Sequence, residues 1–288
     1  MHVVLPIQLV DGSVPTAADF MTLYQYLADI IEALPASAET AALPRSYGVG
    51  CTLSNNGVDA ANDLDIAAGA WRADDDTEDL ILTTGLTKRL DAAWAVGSAA
   101  GGLDTGTATV TTWYHVWLIK RPDTGAVDAL FSTSATGPTM PANYTKKRRL
   151  GAVLTDATPA IIAFVQQGDD FRWNDSTGAL DFNTTSGTSA NTVTHRVPPG
   201  VVVQVFGGVA MSTTSVLYVS SLDTPDLAPS TTAWPLGDAG FGSGTPGNDH
   251  NPWSCKTNTS GQTRWRASAT GTLRVATYGW IDRRGRDV

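Results

Sequence analysis

The sequence predicts an all-β protein made of two β-sandwich domains, jelly-roll-like, preceded by one N-terminal α-helix. Three observations predict it. The chain is rich in Gly, Thr, Ser, Val and Asp but holds only three Glu (Glu32, Glu39, Glu78) and five Lys, a balance that starves helices and favours strands and turns. Apolar runs of strand length recur along it, each bounded by Gly, Pro, Asn or Asp. The one long segment with helical periodicity lies near the N-terminus. At 288 residues the chain suits two compact bodies plus a short arm.

The arm is expected over residues 1–46, with a helix over 16–34. Thr16 follows Pro15 as N-cap, Asp19 stands at the third helical position, and Pro35 is the stop. Phe20, Tyr24, Leu27, Ile31 and Leu34 alternate spacings of four and three, the seam that packs a helix on identical copies as a short coiled coil. A single amphipathic helix docked on its own domain or on another protein fits the pattern equally. Either way a helix this short needs a packing surface to be stable in water. Residues 36–46 lack periodicity, contain Pro44 and read as a linker.

The first domain is expected over 47–175, with strands near 80–84, 107–121, 127–132 and 160–166 and a short helix at Thr87 to Val96. The run Trp113 to Lys120 has bulky residues on both parities and suits a central strand covered on both faces. Arg121 to Gly125, with Pro122 and Gly125, supplies the turn of a hairpin returning at Val127. The second domain is expected over 176–288, with strands near 192–196, 201–211, 215–221, 263–267 and 272–282. Its long loop, 222–258, carries Trp234, Phe241, His250 and Trp253. These are candidate receptor contacts, although aromatic side chains equally hold a long loop's own fold.

A net charge of −9 is the wrong sign for a protein that draws affinity from phosphates, so nucleic acid is not an expected partner. The basic run Lys146 to Arg149 has chemistry suited to a phosphate or a lipopolysaccharide, but it precedes the apolar strand 150–154 and is read as its solvated start. The closing Asp282 to Asp287 is expected to form ion pairs with neighbouring subunits. Met1 to Val10 lacks a basic leader, and no run reaches the ~18 apolar residues of a membrane span, so the expectation is synthesis in the cytosol without membrane insertion. Cys51 and Cys255 are expected to be reduced and buried.

Catalytic material is sparse, and no catalytic, cofactor-binding or metal-binding residues are expected. The four histidines, His2, His115, His195 and His250, have no partner at metal-ligand spacing. His115 reads as a core or sheet-face residue, and His195 as structural or exposed at a strand end. The acidic run Asp74 to Asp79 lacks the glycine turn of a calcium loop and reads as a solvated turn. Asp63 and Asp65 stand too close in sequence to flank a glycosidic bond. No nucleophile elbow, phosphate loop or dinucleotide fingerprint is present.

Three stretches carry a resemblance. They are Leu53 to Gly69; the block Gly85-Leu-Thr-Lys-Arg-Leu-Asp-Ala-Ala-Trp-Ala-Val-Gly97 leading through Gly101-Gly-Leu-Asp-Thr-Gly106 and Tyr114-His-Val-Trp-Leu-Ile119 to Asp123 to Ser132; and Gly279-Trp-Ile-Asp-Arg-Arg-Gly285. Together they resemble bacteriophage and prophage virion surface proteins of the tail-fibre type. The resemblance implies a homotrimeric, non-enzymatic structural component located on the virion, attached to other virion proteins by its N-terminal segment and presenting C-terminal loops to a host surface glycan or protein. It leaves open a head fibre or capsid decoration protein, and more remotely a glycan-degrading tailspike enzyme.

Overall fold

The structure, a computed structural model, describes residues 16–33, 42–175, 180–230, 239–242 and 251–286. It divides into two compact units, Met1–Leu43 and Pro44–Val288. The first contains helix α1 (Ala17–Ala33), opened by a bond from the Phe20 amide to the Thr16 carbonyl at 3.2 Å. The helix therefore lies where the capping signals put it; Leu34 falls outside the described residues. No helix among the described residues is long and apolar enough to cross a membrane.

Among the described residues the second unit holds strands and no α-helix. In chain order it contains β1 (Gly48–Gly50), β2 (Leu53–Asn55), β3 (Asp63–Ile66), β4 (Gly69–Arg72), β5 (Asp79–Leu82), β6 (Leu86–Ala93), β7 (Ala100–Leu103), β8 (Trp113–Lys120), β9 (Val127–Ser132) and β10 (Lys146–Leu154). There follow β11 (Phe164–Gln167), β12 (Asp170–Trp173), β13 (Phe182–Ser186), β14 (Asn191–Thr194), β15 (Gln204–Met211), β16 (Val216–Ser220), β17 (Ala239–Gly242), β18 (Asn251–Lys256), β19 (Gln262–Ala267) and β20 (Gly271–Ile281). Among the described residues these form four sheets: β1-β4-β5; β10-β8-β9-β7-β6-β3-β2; β11-β12-β20-β15-β18 with β13 also on β20; and β14-β19-β16-β17.

The hairpin β8–β9 forms in the expected place, with Gly125 at φ +73° and its amide bonded to the Arg121 carbonyl at 2.8 Å. β8 is covered on both faces: Tyr114, Val116 and Leu118 enter the main core, while Trp117 and Ile119 form a second small core with Leu130 and Tyr144. That accounts for bulky residues on both parities.

Two expectations are corrected. Thr87 to Val96 is not helical; Thr87 to Ala93 belongs to β6, in which Leu86, Lys88 and Leu90 alternate inward and pair with β3 and β7. A spacing of four satisfies both a helix and a strand, and a buried lysine hid the alternation. Nor is there a break at residue 175. β12 pairs with β20, so one sheet crosses the expected boundary, and one buried cluster runs from Cys51 to Trp280. The Trp280 ring lies 5.5 Å from Trp113, 5.1 Å from Trp173 and 5.2 Å, stacked, from Phe171. Such an aromatic cluster is apolar surface that two separate domains would each have to expose.

Cys51 and Cys255 are both buried and not joined to each other.

Candidate functional site

Three places bear on function. The first is helix α1. Phe20, Tyr24 and Leu27 are 61%, 70% and 48% exposed, and Met21 beside them is 68% exposed. Ile31 lies on the helix backbone, its side chain outside the described residues.

The second is the expected receptor loop, which the structure revises. Trp234 and His250 lie outside the described residues, and Phe241 is placed only as backbone of β17. Trp253 is no loop tip. It sits in β18, 4% exposed, with its ring edge-on to Trp265 at 4.9 Å and 4.9 Å from His195. Trp253, Cys255 and Thr257 face inward in strand alternation, so this aromatic is core.

Against Trp253 stands a hydroxyl, imidazole and carboxylate arrangement. His195 Nε2 is 2.7 Å from Thr263 Oγ1, and its Nδ1 is 3.4 Å from Asp181 Oδ2. The Thr263 hydroxyl also accepts the Trp265 Nε1–H at 2.9 Å and is 0% exposed. With the ring proton on Nδ1, every group in this network is satisfied: Trp265 donates to Thr263, Thr263 to His195, and His195 and Thr277 to Asp181. A hydroxyl with no open face is a structural group, so the network cements β14, β19 and β20. Among the described residues no three His, Cys, Asp or Glu gather as metal ligands.

The third place is the basic run, which departs from the solvated strand start expected of it. Only Lys146 and Lys147 of the basic run are partly solvated; Arg148 and Arg149, in the body of β10, are buried. Arg149 is fully paired. Its Nε donates to His115 Nδ1 at 3.0 Å, and its two Nη groups reach the two oxygens of Asp282 at 3.0 and 2.7 Å. Burial pushes Asp282 up, but the charge and bonds of Arg149 outweigh it and hold the carboxyl below its ordinary value. Asp282 thus pairs within its own chain.

Arg148, one residue earlier, is 3% exposed, yet its Nε and Nη2 are buried without a hydrogen-bond partner. Burial lowers its pKa, opposed by the charges of Asp74 and Asp76 and reinforced by those of Arg286 and Arg284. Its guanidinium lies 5.6 Å from the ring of the buried Trp71, which Arg284 approaches to 4.3 Å and Arg286 to 5.7 Å. Cation–π attraction of about 0.5–2 kcal/mol offsets only part of the several kcal/mol of an uncompensated buried charge. Arg148 and Arg284 line a cleft of about 1340 Å³, whose wall also includes Val202, Phe206, Ser254 and Ile281. The acidic run borders the same cleft, and its carboxylates are engaged: Asp74 with Lys147, Asp75 with Lys146 at 2.7 Å, and Asp76 with Arg45 at 3.0 Å.

The sequence signal for this site was the basic run itself, read with the wrong burial. No family model, curated protein or solved structure matches the chain.

Proposed function

We propose that the protein is a structural, non-enzymatic component of a bacteriophage particle surface, of the tail-fibre or receptor-binding type, assembled as a homotrimer through helix α1. The observation that carries this reading is the row of Phe20, Tyr24 and Leu27 on one helix, each about half exposed or more. An isolated helix of 17 residues is marginal in water, and burying such side chains yields about 1.5–3 kcal/mol each, so self-association is its natural source of stability. In the all-β body the Arg149–Asp282 pair and the His195–Thr263–Asp181 network are spent on internal bonds, which supports the same role.

Light scattering coupled to size exclusion tests the assembly: the full chain should have a trimeric mass, and Tyr24→Asp combined with Leu27→Asp should yield a folded monomer. A wild-type monomer would overturn it. Immunogold labelling of intact particles through this protein tests the location. Label on the tail supports a fibre, label on the head a decoration protein, and no label removes the virion assignment.

A further inference from the structure

We propose that the cleft on the β10 side of the body binds an oxyanion, a phosphate, sulfate or carboxylate group, with the Arg148 guanidinium as its principal partner and Arg284 beside it. The inference rests on the Pro44–Val288 body alone and is independent of the virion assignment.

Arg148 Nε and Nη2 lie on one edge of the guanidinium and form a fork whose spacing matches two oxygens of a carboxylate or phosphate; protein atoms cover that edge, and the side chain must turn it into the cleft that Arg148 lines to grip an anion. The same edge of Arg89 and of Arg121 grips Asp91 and Asp123 in this protein. For Arg148 no such carboxylate is left. Asp282 gives both oxygens to Arg149, Asp169 is shared by Arg284 and Arg286, and the rim carboxylates have their own lysine or arginine. Arg284 is likewise buried with Nε and Nη1 unpartnered. The turn after β20 brings it there: Arg284 and Gly285 adopt φ +53° and +72°, and a Cβ on Gly285 would come within 3.8 Å of Arg148 Cζ. The result is a local excess of positive charge inside a chain of net charge −9.

The size and lining of the cleft narrow the ligand. A volume of about 1340 Å³ far exceeds a lone ion, and its walls mix apolar Val202, Phe206 and Ile281 with Ser254 and Thr259. The anion is therefore one substituent of a larger polar molecule, such as a charged sugar unit. A nucleic acid is disfavoured, since Asp74, Asp75 and Asp170 on the same walls would face its neighbouring phosphates.

The experiment is calorimetric titration of the purified full chain at fixed ionic strength with inorganic phosphate, glucose 1-phosphate, glucuronate and neutral glucose. Saturable binding of the anionic probes, none of glucose, and at least tenfold weaker phosphate binding by Arg148→Met support the site. Tighter binding of glucose 1-phosphate than of inorganic phosphate identifies a sugar-borne anion, and equal binding a free ion. No saturable anion binding, or an Arg148→Met variant that binds like the wild type, overturns it. A second measurement needs no variant. The wild-type unfolding midpoint should rise with the logarithm of phosphate concentration and stay flat with glucose; a midpoint flat in phosphate as well overturns the proposal.

Discussion

His115 offers a direct test of the chain of buried polar groups that joins the early strands to the C-terminus. Burial, with the adjacent Arg149 charge, pushes its pKa from the ordinary 6.5 down to about 3, against opposing contributions from Asp282 and a bond to the Pro199 backbone. The ring is 1% exposed and accepts the Arg149 Nε–H, so the folded protein holds it neutral. Unfolding frees it to take a proton near its ordinary pKa. Between the two pKa values the unfolded chain binds more protons, so stability is highest above about pH 6.5 and falls as the pH drops towards about 3. At roughly 1.36 kcal/mol per pH unit the loss between about pH 7.5 and about pH 4.5 is about 2–3 kcal/mol, and over the whole window about 4–5 kcal/mol. Urea unfolding at a series of pH values, for wild type and His115→Asn, measures it. Asn keeps an acceptor for Arg149 and cannot titrate, so the variant should lose this slope even though it starts from lower stability at neutral pH. Identical slopes in the two proteins would refute the argument that His115 is held neutral by the fold.

Two further outcomes are expected in the same body. Lys88 Nζ, 0% exposed, sits 3.1 Å from Asp128 and bonds to the Ala95 and Gly97 carbonyls. Lys88→Met leaves Asp128 buried without its cation and should cost about 3–5 kcal/mol in denaturant unfolding, while Lys88→Met with Asp128→Leu should recover part of it. A Cβ on Gly279 would stand 2.1 Å from the Phe171 carbonyl oxygen and 2.7 Å from the Phe206 ring. Gly279→Ala should therefore lower stability by about 2 kcal/mol or more, against no change for Gly57→Ala, where a Cβ meets nothing within 4 Å. Equal unfolding midpoints for these two glycine variants would show that β12 and β20 pack more loosely than this.

Local chemistry was legible wherever a short segment decides its own conformation. Helix α1 followed from Thr16, Pro35 and the four-three spacing, and β8–β9 from the Pro122 to Gly125 turn. What escaped was pairing between distant segments. Nothing local to Phe171 says that it stacks on Trp280, so one body was read as two. Trp253 was lost for a subtler reason. The inward alternation of Trp253, Cys255 and Thr257 is present in the sequence, but Pro252 made the segment look like loop; β18 tolerates proline because it is an edge strand of its sheet. The basic run shows the same limit in electrostatic form. A charged run reads as solvated unless its counterion is known, and the counterion of Arg149 is 133 residues away.

Arg148 and Arg149 are a controlled comparison within one strand. Both are guanidiniums in β10, both are buried, and adjacent strand residues point to opposite faces. On one side the protein supplies His115 and both oxygens of Asp282; on the other it supplies the ring of Trp71, the charges of Asp74 and Asp76 and two more arginines, with no hydrogen-bond partner for Nε or Nη2. Were Arg148 retained for packing alone, methionine would fill the same space without desolvating a charge, and buried ion groups replaced in this way often leave a protein equal or higher in stability. Total stabilities are only about 5–15 kcal/mol, so a buried cation with no hydrogen-bonded counterion is a large deduction for a fold to carry. Local rules broken at such cost concentrate where a surface meets a ligand. The missing compensation on the Arg148 side therefore points outward, to a group that arrives with its own negative charge.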